Sequence, residues 1–505
     1  MNSEGIAFWL FWLILFVLVL NKKGINKITV SQIDKQAKVY ICIFLLVFAL
    51  ICLVPMSFVP CFNGKDPGHR DQYEKITESF IHGHMFFDYE TDPVLETLDN
   101  PYDPAARIEA GADFHWDHAY YNGRYYMYFG VVPVVLLFVP FRLLTGIALL
   151  SYHAAQIFIF LFIIAFFLFA YRFLLKYRPD FNLTLYLWLT AGLCLASVNN
   201  CVESPALYNT AISAGMCFAM WSIYLYFKAL IFDETIKFRC LLVASLSGAL
   251  VFGCRPNIGL FVIILIPVLS LIINKSKEEN MDKNFTIKAL LTIFIPYLII
   301  GILLMVYNYL RFDSIFEFGQ SYQLTDTDQH LFNNIFDNFD HEKFFACLYN
   351  EFFMITKSLL GFNLPGPGGL LTTFPVMWPF VFVLIYNFLR KKDHEETYNI
   401  QKSRPLITGL AVSMFLIIFA DILMSPYPLT DRYKGDVYFI FAIIYIYLIV
   451  KNYDIIDHFM NVFKILSVLT FFVCFLLYLT SESLLWLYYP DIVDNIRNNV
   501  FFGIF

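Results

Sequence analysis

The chain has 505 residues, 59% of them hydrophobic and 19% aromatic, with 15% charged and a mean hydropathy of +0.62. A soluble chain of this length would form about three domains, but so apolar a composition belongs to the membrane class. The formal charge of −6 is scattered over short loops of varying sign and gives no sign of a nucleic-acid partner, and none is expected.

Apolar runs of about 16–24 residues are long enough to cross a bilayer as helices, and in lipid the backbone has no other economical way across. Twelve runs qualify: 5–20, 38–58, 152–175, 183–199, 209–229, 238–254, 257–274, 287–309, 370–389, 405–425, 435–451 and 463–481. The run 129–150, broken by Pro133, Pro140, Arg142 and Gly146, reads as a helix half-inserted on the outer face. The expected fold is therefore an all-α polytopic membrane protein of about twelve transmembrane helices plus this outer-face helix, with short helices in its extracytoplasmic loops. The first run has no basic residue before it and Lys22 and Lys23 after it, so it reads as an inverted anchor rather than a secretory signal.

Lysine and arginine orient the spans, because cytoplasmic loops keep an excess of them. With 129–150 not spanning, the segments 22–38, 172–178, 228–239, 275–288, 390–404 and 451–464 fall inside and carry 22 of the 35 basic residues. The long polar loops 59–128, 200–208, 310–369 and 426–434 and the tail 482–505 then face outside. One transmembrane domain covers 1–481, including a first extracytoplasmic loop at 59–150 and a second large one at 310–369, followed by the extracytoplasmic tail. The PGPGG run at 365–369 ends the second loop with turn chemistry, and the rest of that loop reads as a partly helical cover on the membrane surface. The ten cysteines are singles without zinc or redox spacing; Cys61, Cys201 and Cys347 are the three in polar loops.

The stretch 60–130 holds thirteen of the 41 acidic residues. Tyr73, Ile76, Phe80 and Ile81 recur at helical spacing, which predicts a helix within 68–88. Asp71 stands where it caps that helix, and a carboxylate at a desolvating bilayer surface is also a candidate general base. Glu74 and Glu78 read as its solvated face. His69, His82, His84, His115 and His118 lie in this loop. They read chiefly as hydrogen-bonded or solvent-facing, with a divalent metal at His82-Gly-His84 or His115-Trp-Asp-His118 as the secondary reading. The aromatic cluster 120–129, with Tyr121 and Arg124, suits an interfacial belt or a sugar-stacking wall, and its Asn122-Gly123 predicts a tight turn between two short strands. Arg255 is the only charge between 240 and 274. A boundary arginine is costly and by default functional: it binds a phosphate bidentately, snorkels, or pairs with a carboxylate such as Asp421.

Several patches taken in order resemble the GT-C superfamily. They are an acidic residue early in an Asp-x-Tyr stretch of the first loop, a proline-containing half-inserted helix ending in Leu144-Thr145-Gly146, the Arg255-Pro256 turn, and Arg432-Tyr433 near the start of a late span. These polytopic glycosyltransferases use polyprenyl-phosphate-linked sugars, as do the similar protein O-mannosyltransferases and aminoarabinose transferases. The resemblance implies that Asp71, or less readily Asp66, is the catalytic carboxylate, and that Arg255 holds the lipid phosphate. It further implies that Glu203, Tyr73, Arg432, Tyr433, Tyr121 and Arg124 shape the substrate site, with no residue assigned to a metal. Asp71-Gln72 stands where the family more often has Asp-Glu.

The implied activity moves a sugar from a polyprenyl-phosphate donor to an envelope glycan, lipid or protein on the extracytoplasmic side of the cell membrane. No glycine-rich phosphate loop accompanies it. A transporter or flippase for a lipid-linked component is the main alternative, and a non-catalytic scaffold that binds through its outer loops is the other.

Overall fold

Uninterrupted apolar runs fold as helices throughout, since only internal hydrogen bonds satisfy their backbone in lipid. The computed structural model describes residues 3–20, 24–53, 71–203, 205, 207–332, 341–353, 369–379, 400–424 and 431–480, together with 490, 491, 494, 495 and 498. In chain order come α1 (Ser3–Leu20), α2 (Lys35–Leu53), α3 (Gln72–Ile81), α4 (Pro93–Thr97) and α5 (Pro104–Ala110). The hairpin β1 (Ala119–Tyr121) and β2 (Arg124–Tyr126) precedes α6 (Val139–Thr145), α7 (Ser151–Tyr177), α8 (Leu183–Glu203) and α9 (Leu207–Phe227). Then follow α10 (Phe238–Phe252), α11 (Pro256–Gly259), α12 (Leu265–Glu278), α13 (Lys283–Phe312), α14 (His341–Phe353) and α15 (Leu370–Thr373). The last are α16 (Arg404–Met424), α17 (Lys434–Lys451), α18 (Tyr453–His458) and α19 (Met460–Thr480).

Among the described residues seven stretches are long and apolar enough to cross a bilayer: Lys35–Leu53, Ser151–Tyr177, Leu183–Glu203, Leu207–Phe232, Pro256–Glu278, Lys283–Phe312 and Ile400–Leu423. The chain is thus a mainly helical, membrane-embedded protein. The difference from twelve has physical reasons. Helix α10 has 15 residues, short of the roughly 20 a perpendicular span requires. Helix α17 carries Lys434, Asp436 and Lys451 within 18 residues. Residues 380–389, half of 370–389, lie outside the described residues, as do 365–368 of the PGPGG run, Cys61 and His69.

Helix α8 is buried along nearly its whole length, whereas α13 exposes Leu291, Leu298, Ile302, Leu303, Val306 and Leu310. A face that apolar is costly in water and at home against hydrocarbon. The connections fall into two groups, called here the short-loop and long-loop ends by the loops that meet in them. At the short-loop end Val30 N–H donates to the Phe181 carbonyl at 2.9 Å, and Arg178 meets Asp454 at 2.8 Å. At the long-loop end lie 71–150, the 253–255 turn, 313–332 and the 431–433 turn.

The run 129–150 forms one π-helical turn, Val134–Phe138, continuing into α6. At 1.5 Å per residue Val134–Thr145 reaches about 18 Å, too short for a hydrocarbon core of about 30 Å. Leu143, Leu144 and Ile147 are exposed on it. Two first-loop expectations meet the structure: the helix expected within 68–88 is present as α3 but ends at Ile81, and Asn122 and Gly123, at φ 49° and 72°, make the positive-φ turn that joins β1 to β2. Tyr73 and Ile76 are buried as the stripe requires, but Ile81 at its end is exposed.

Candidate functional site

The first loop docks onto the bundle backbone-first. Val132 N–H donates to the Gly253 carbonyl at 2.8 Å, and a side chain at Gly130 would overlap the carbonyls of Gly253 and Cys254. The second loop joins it: Tyr120 N–H donates to Tyr322 O at 2.8 Å, Asp117 N–H to Leu324 O and Leu324 N–H to His118 O, each at 3.0 Å. Buried Arg107 ties the same segments, donating to Pro101 O and Thr325 O. These bonds hold Asp71, Glu74, Asp117 and Arg255 at one end of the molecule.

Arg255 precedes α11, where Pro256 at the first helical position starts the next span. Its Nε lies 2.7 Å from both carboxylate oxygens of Asp436, which is wholly buried at the start of α17. The guanidinium is 5.4 Å from the Tyr433 ring, and its Nη2 is buried without a hydrogen-bond partner among the described residues. Asp421, one expected partner for Arg255 or else a solvated end residue, is buried and near enough to feel its charge, but its hydrogen bond comes from Asn257 Nδ2 at 2.6 Å. Arg432 lies 4.5 Å over the Tyr208 ring, and the Tyr208 hydroxyl donates to Asp117.

Asp117 is the site residue that sequence reasoning missed. It is buried, at φ 62°, and its second oxygen accepts from Tyr128 Oη at 3.0 Å. Burial raises its pKa against the lowering pull of those two hydroxyls and Arg432. Beside it, His118 is buried and neutral, its pKa pushed down to about 4 by loss of water. Its Nδ1–H donates to Trp116 O at 2.8 Å, so Gln72 Nε2, 3.4 Å from that nitrogen, makes its better bond to Asp117 O at 3.0 Å.

Asp71 sits at the N-cap position of α3 but forms no capping hydrogen bond, contrary to that expectation. Its carboxylate is drawn one turn along to Lys75 Nζ at 3.2 Å and remains about a third exposed. Glu74 is not a solvated residue either. It is half-buried and accepts from Ser151 N at 2.5 Å and Ser151 Oγ at 3.0 Å, and burial pushes its pKa up to about 7. Since Leu150 has no side chain able to cap α7, Glu74 supplies a cap from another part of the chain. Glu78 pairs with Arg142 of α6 at 2.6 Å.

The structure therefore brings together Arg255, Arg432 and Tyr433, with Tyr208, Asp117 and Asp436. Asp71 stands one step away, reaching Asp117 through its neighbour Gln72. Buried Tyr73, whose hydroxyl lies 3.4 Å from Gly130 O, packs between α3 and the Arg255 turn. Tyr121 and Arg124 are not part of this group: Tyr121 donates to Asp313 at 3.2 Å and Arg124 stacks on Phe86 at 4.3 Å. Glu203 closes α8 at the same end, half-buried. Asp66 lies outside the described residues. Cys201 and Cys347 are buried thiols. Among the described residues, His82, His84 and Asp88 have donor atoms close enough to share a metal, within 4.8 Å of one another. They lie past the opposite end of α3 from Asp71. Comparison with protein-family models, curated proteins and solved structures returns no match to this chain.

Proposed function

We propose that the protein is a polytopic membrane glycosyltransferase of about twelve spans, with its site facing the extracytoplasmic side, that moves a sugar from a polyprenyl-phosphate donor to an envelope acceptor. The observation that carries this reading is a buried guanidinium, Arg255, with an unsatisfied N–H, beside a loop that presents an available carboxylate. Asp117 has each oxygen occupied by a tyrosine hydroxyl, whereas Asp71 is held only by an exposed lysine. A general base needs a lone pair within reach of the acceptor, which favours Asp71.

In the proposed reaction the acceptor oxygen forms a bond to the anomeric carbon while its proton passes to Asp71. The bond from that carbon to the phosphate oxygen breaks, and the polyprenyl phosphate leaves with the electron pair. Base and cation act on opposite faces of the reacting carbon and need no direct contact. The Arg255 Nη2 donor meets charge developing on the leaving oxygen in a water-poor site. Glu203, Arg432, Tyr433 and Tyr73 line the approach in this reading.

The test is sugar transfer in proteoliposomes from polyprenyl-phosphate-linked hexose or pentose. Loss of the base lowers turnover by about 10²–10⁴-fold in Asp71→Asn, and Arg255→Ala also fails; wild-type turnover by both removes the mechanism. The burial of Asp421 and Asp436 next to Arg255 favours the second reading, a transporter or flippase for a lipid-linked component. That reading predicts lipid translocation without transfer, lost in Asp436→Asn.

A further inference from the structure

The turn that ends α3 carries a cluster that the proposed transfer reaction leaves idle. Residues 82–84 close the helix in a Schellman turn: Gly83 N–H donates to Phe80 O at 3.2 Å and His84 N–H to Ser79 O at 3.1 Å, with Gly83 at φ 88° as the left-handed residue. Reversing the chain there brings His82 and His84 together, their ring centroids 6.3 Å apart. Asp88 follows on backbone that is also fixed, because Phe87 N–H donates to Tyr125 O of β2 at 2.8 Å. Ring nitrogens of both histidines and a carboxylate oxygen of Asp88 lie within 4.8 Å of one another. These backbones are held by bonds that need no ion, so the set is organised in advance. His82 and Asp88 are exposed and His84 is partly so, which opens the cluster to a solvated ion.

The hydrogen bonding of His84 narrows what it can hold. A carbonyl oxygen only accepts, so Nδ1, 2.9 Å from Phe86 O, carries the hydrogen. The Phe86 ring stacks on the imidazole at 4.3 Å and fixes its plane. In the neutral ring Nε2 is then a bare lone pair, and it lies 3.3 Å from Asp88 Oδ1. Two acceptors facing each other repel unless a cation stands between them, either a proton on Nε2 or a metal ion. A backbone carbonyl that orients a histidine through Nδ1 is the common support of a metal-bound imidazole. The separation fits as well: bonds of about 2.0–2.1 Å to a tetrahedral ion place neighbouring ligand atoms about 3.3 Å apart. His82, at the exposed edge, closes the remaining gap by turning about its own side-chain bonds.

Two imidazoles and one carboxylate suit zinc and its late first-row neighbours, whereas calcium and magnesium take oxygen ligands. We propose that His82, His84 and Asp88 form a zinc site, with water in the fourth position, that braces the end of α3 against the β1–β2 hairpin. The length of α3, ten residues or about 15 Å, separates it from Asp71, so the proposal concerns binding alone and does not depend on the transfer reaction.

The test uses the detergent-purified full chain, prepared without a histidine tag and stripped with chelator, then titrated with cobalt(II) as a spectroscopic probe and with zinc. Cobalt is expected to bind at one ion per chain with the strong visible bands of four-coordinate cobalt(II), to be displaced by zinc, and to be untouched by a large excess of magnesium or calcium. His84→Ala weakens zinc by at least about 10–100-fold, the worth of a group that merely orients a metal ligand. His82→Ala and Asp88→Ala, both at exposed positions and so harmless to folding, do the same, and zinc raises the thermal midpoint of the wild type but of neither variant. Zinc bound as tightly by the double variant His82→Ala with Asp88→Ala as by the wild type overturns the proposal. So does the absence of binding at micromolar zinc, which leaves His84 and Asp88 as an ion pair only. Displacement of cobalt by magnesium or calcium overturns the assignment to zinc.

Discussion

The two ends of the bundle differ in their dry charges. At the short-loop end each ion pair among the described residues keeps a partner in water: Asp454 is 62% exposed opposite Arg178, and Arg172 is 36% exposed opposite Asp233. The long-loop end has water-facing pairs too, Asp71 with Lys75 and Glu78 with Arg142, but it adds Arg255 and Asp436 at 16% and 0% exposed, buried Arg311 without an ion pair among the described residues, and Asp117 held by two tyrosine hydroxyls. Water-facing pairs orient a chain and contribute little to stability. Dry ones cost desolvation and are kept for what they do. The difference is what makes the long-loop end the candidate site.

The sharpest way to break that comparison is to remove one member of the dry pair. Asp436→Ala leaves Arg255 buried and uncompensated and is expected to cost about 3–5 kcal/mol, read as a large fall in thermal midpoint in detergent. The double variant Arg255→Met with Asp436→Leu should recover much of that loss; a double variant as unstable as the single would show that the pair is not the reason. Next in size is Asp117→Leu, which strips two tyrosine hydroxyls of their acceptor and costs about 1–3 kcal/mol for each group left unsatisfied.

The third expectation concerns pH. Glu74 has its pKa raised from 4.5 to about 7, so the folded state holds that proton more tightly than the unfolded chain does. Its contribution is fully present below about pH 4.5 and lost as the pH rises through 7, and Glu74→Gln should flatten the thermal midpoint over that interval. His118 acts in the opposite sense. With its pKa lowered from 6.5 to about 4, it contributes above pH 6.5 and loses that contribution as the pH falls towards 4. The smallest effect belongs to the short-loop end, where Lys237→Ala, which leaves Asp233 its Arg172 partner, should cost no more than about 1 kcal/mol; a loss as large as that of Asp436→Ala would erase the contrast between the ends.

Helix placement was legible because hydrocarbon thickness and backbone satisfaction act on local sequence. So were α3 and the Asn122-Gly123 hairpin, each set by spacing within a few residues. The partner of Arg255 was not, because Asp436 lies 181 positions away and local periodicity carries no distance information of that kind. A usable signal existed: Asp436 is the last charge before the uncharged run 437–450 and Arg255 stands between two such runs, so the two are candidates for each other. Glu74 was misread because its helical position predicts exposure, while its actual partner is the start of α7, 77 residues on. Asp117 drew no notice among thirteen loop carboxylates, since its tyrosine partners Tyr128 and Tyr208 come from two different segments.

The contact at Gly130 has a mechanical consequence. Main chain meets main chain there, with no side chain to swing aside, so the loop bearing Asp71 and the turn bearing Arg255 ride as one rigid plate. The Arg432-Tyr433 turn closes over that plate, with Arg432 on the Tyr208 ring and Tyr433 by the Arg255 guanidinium.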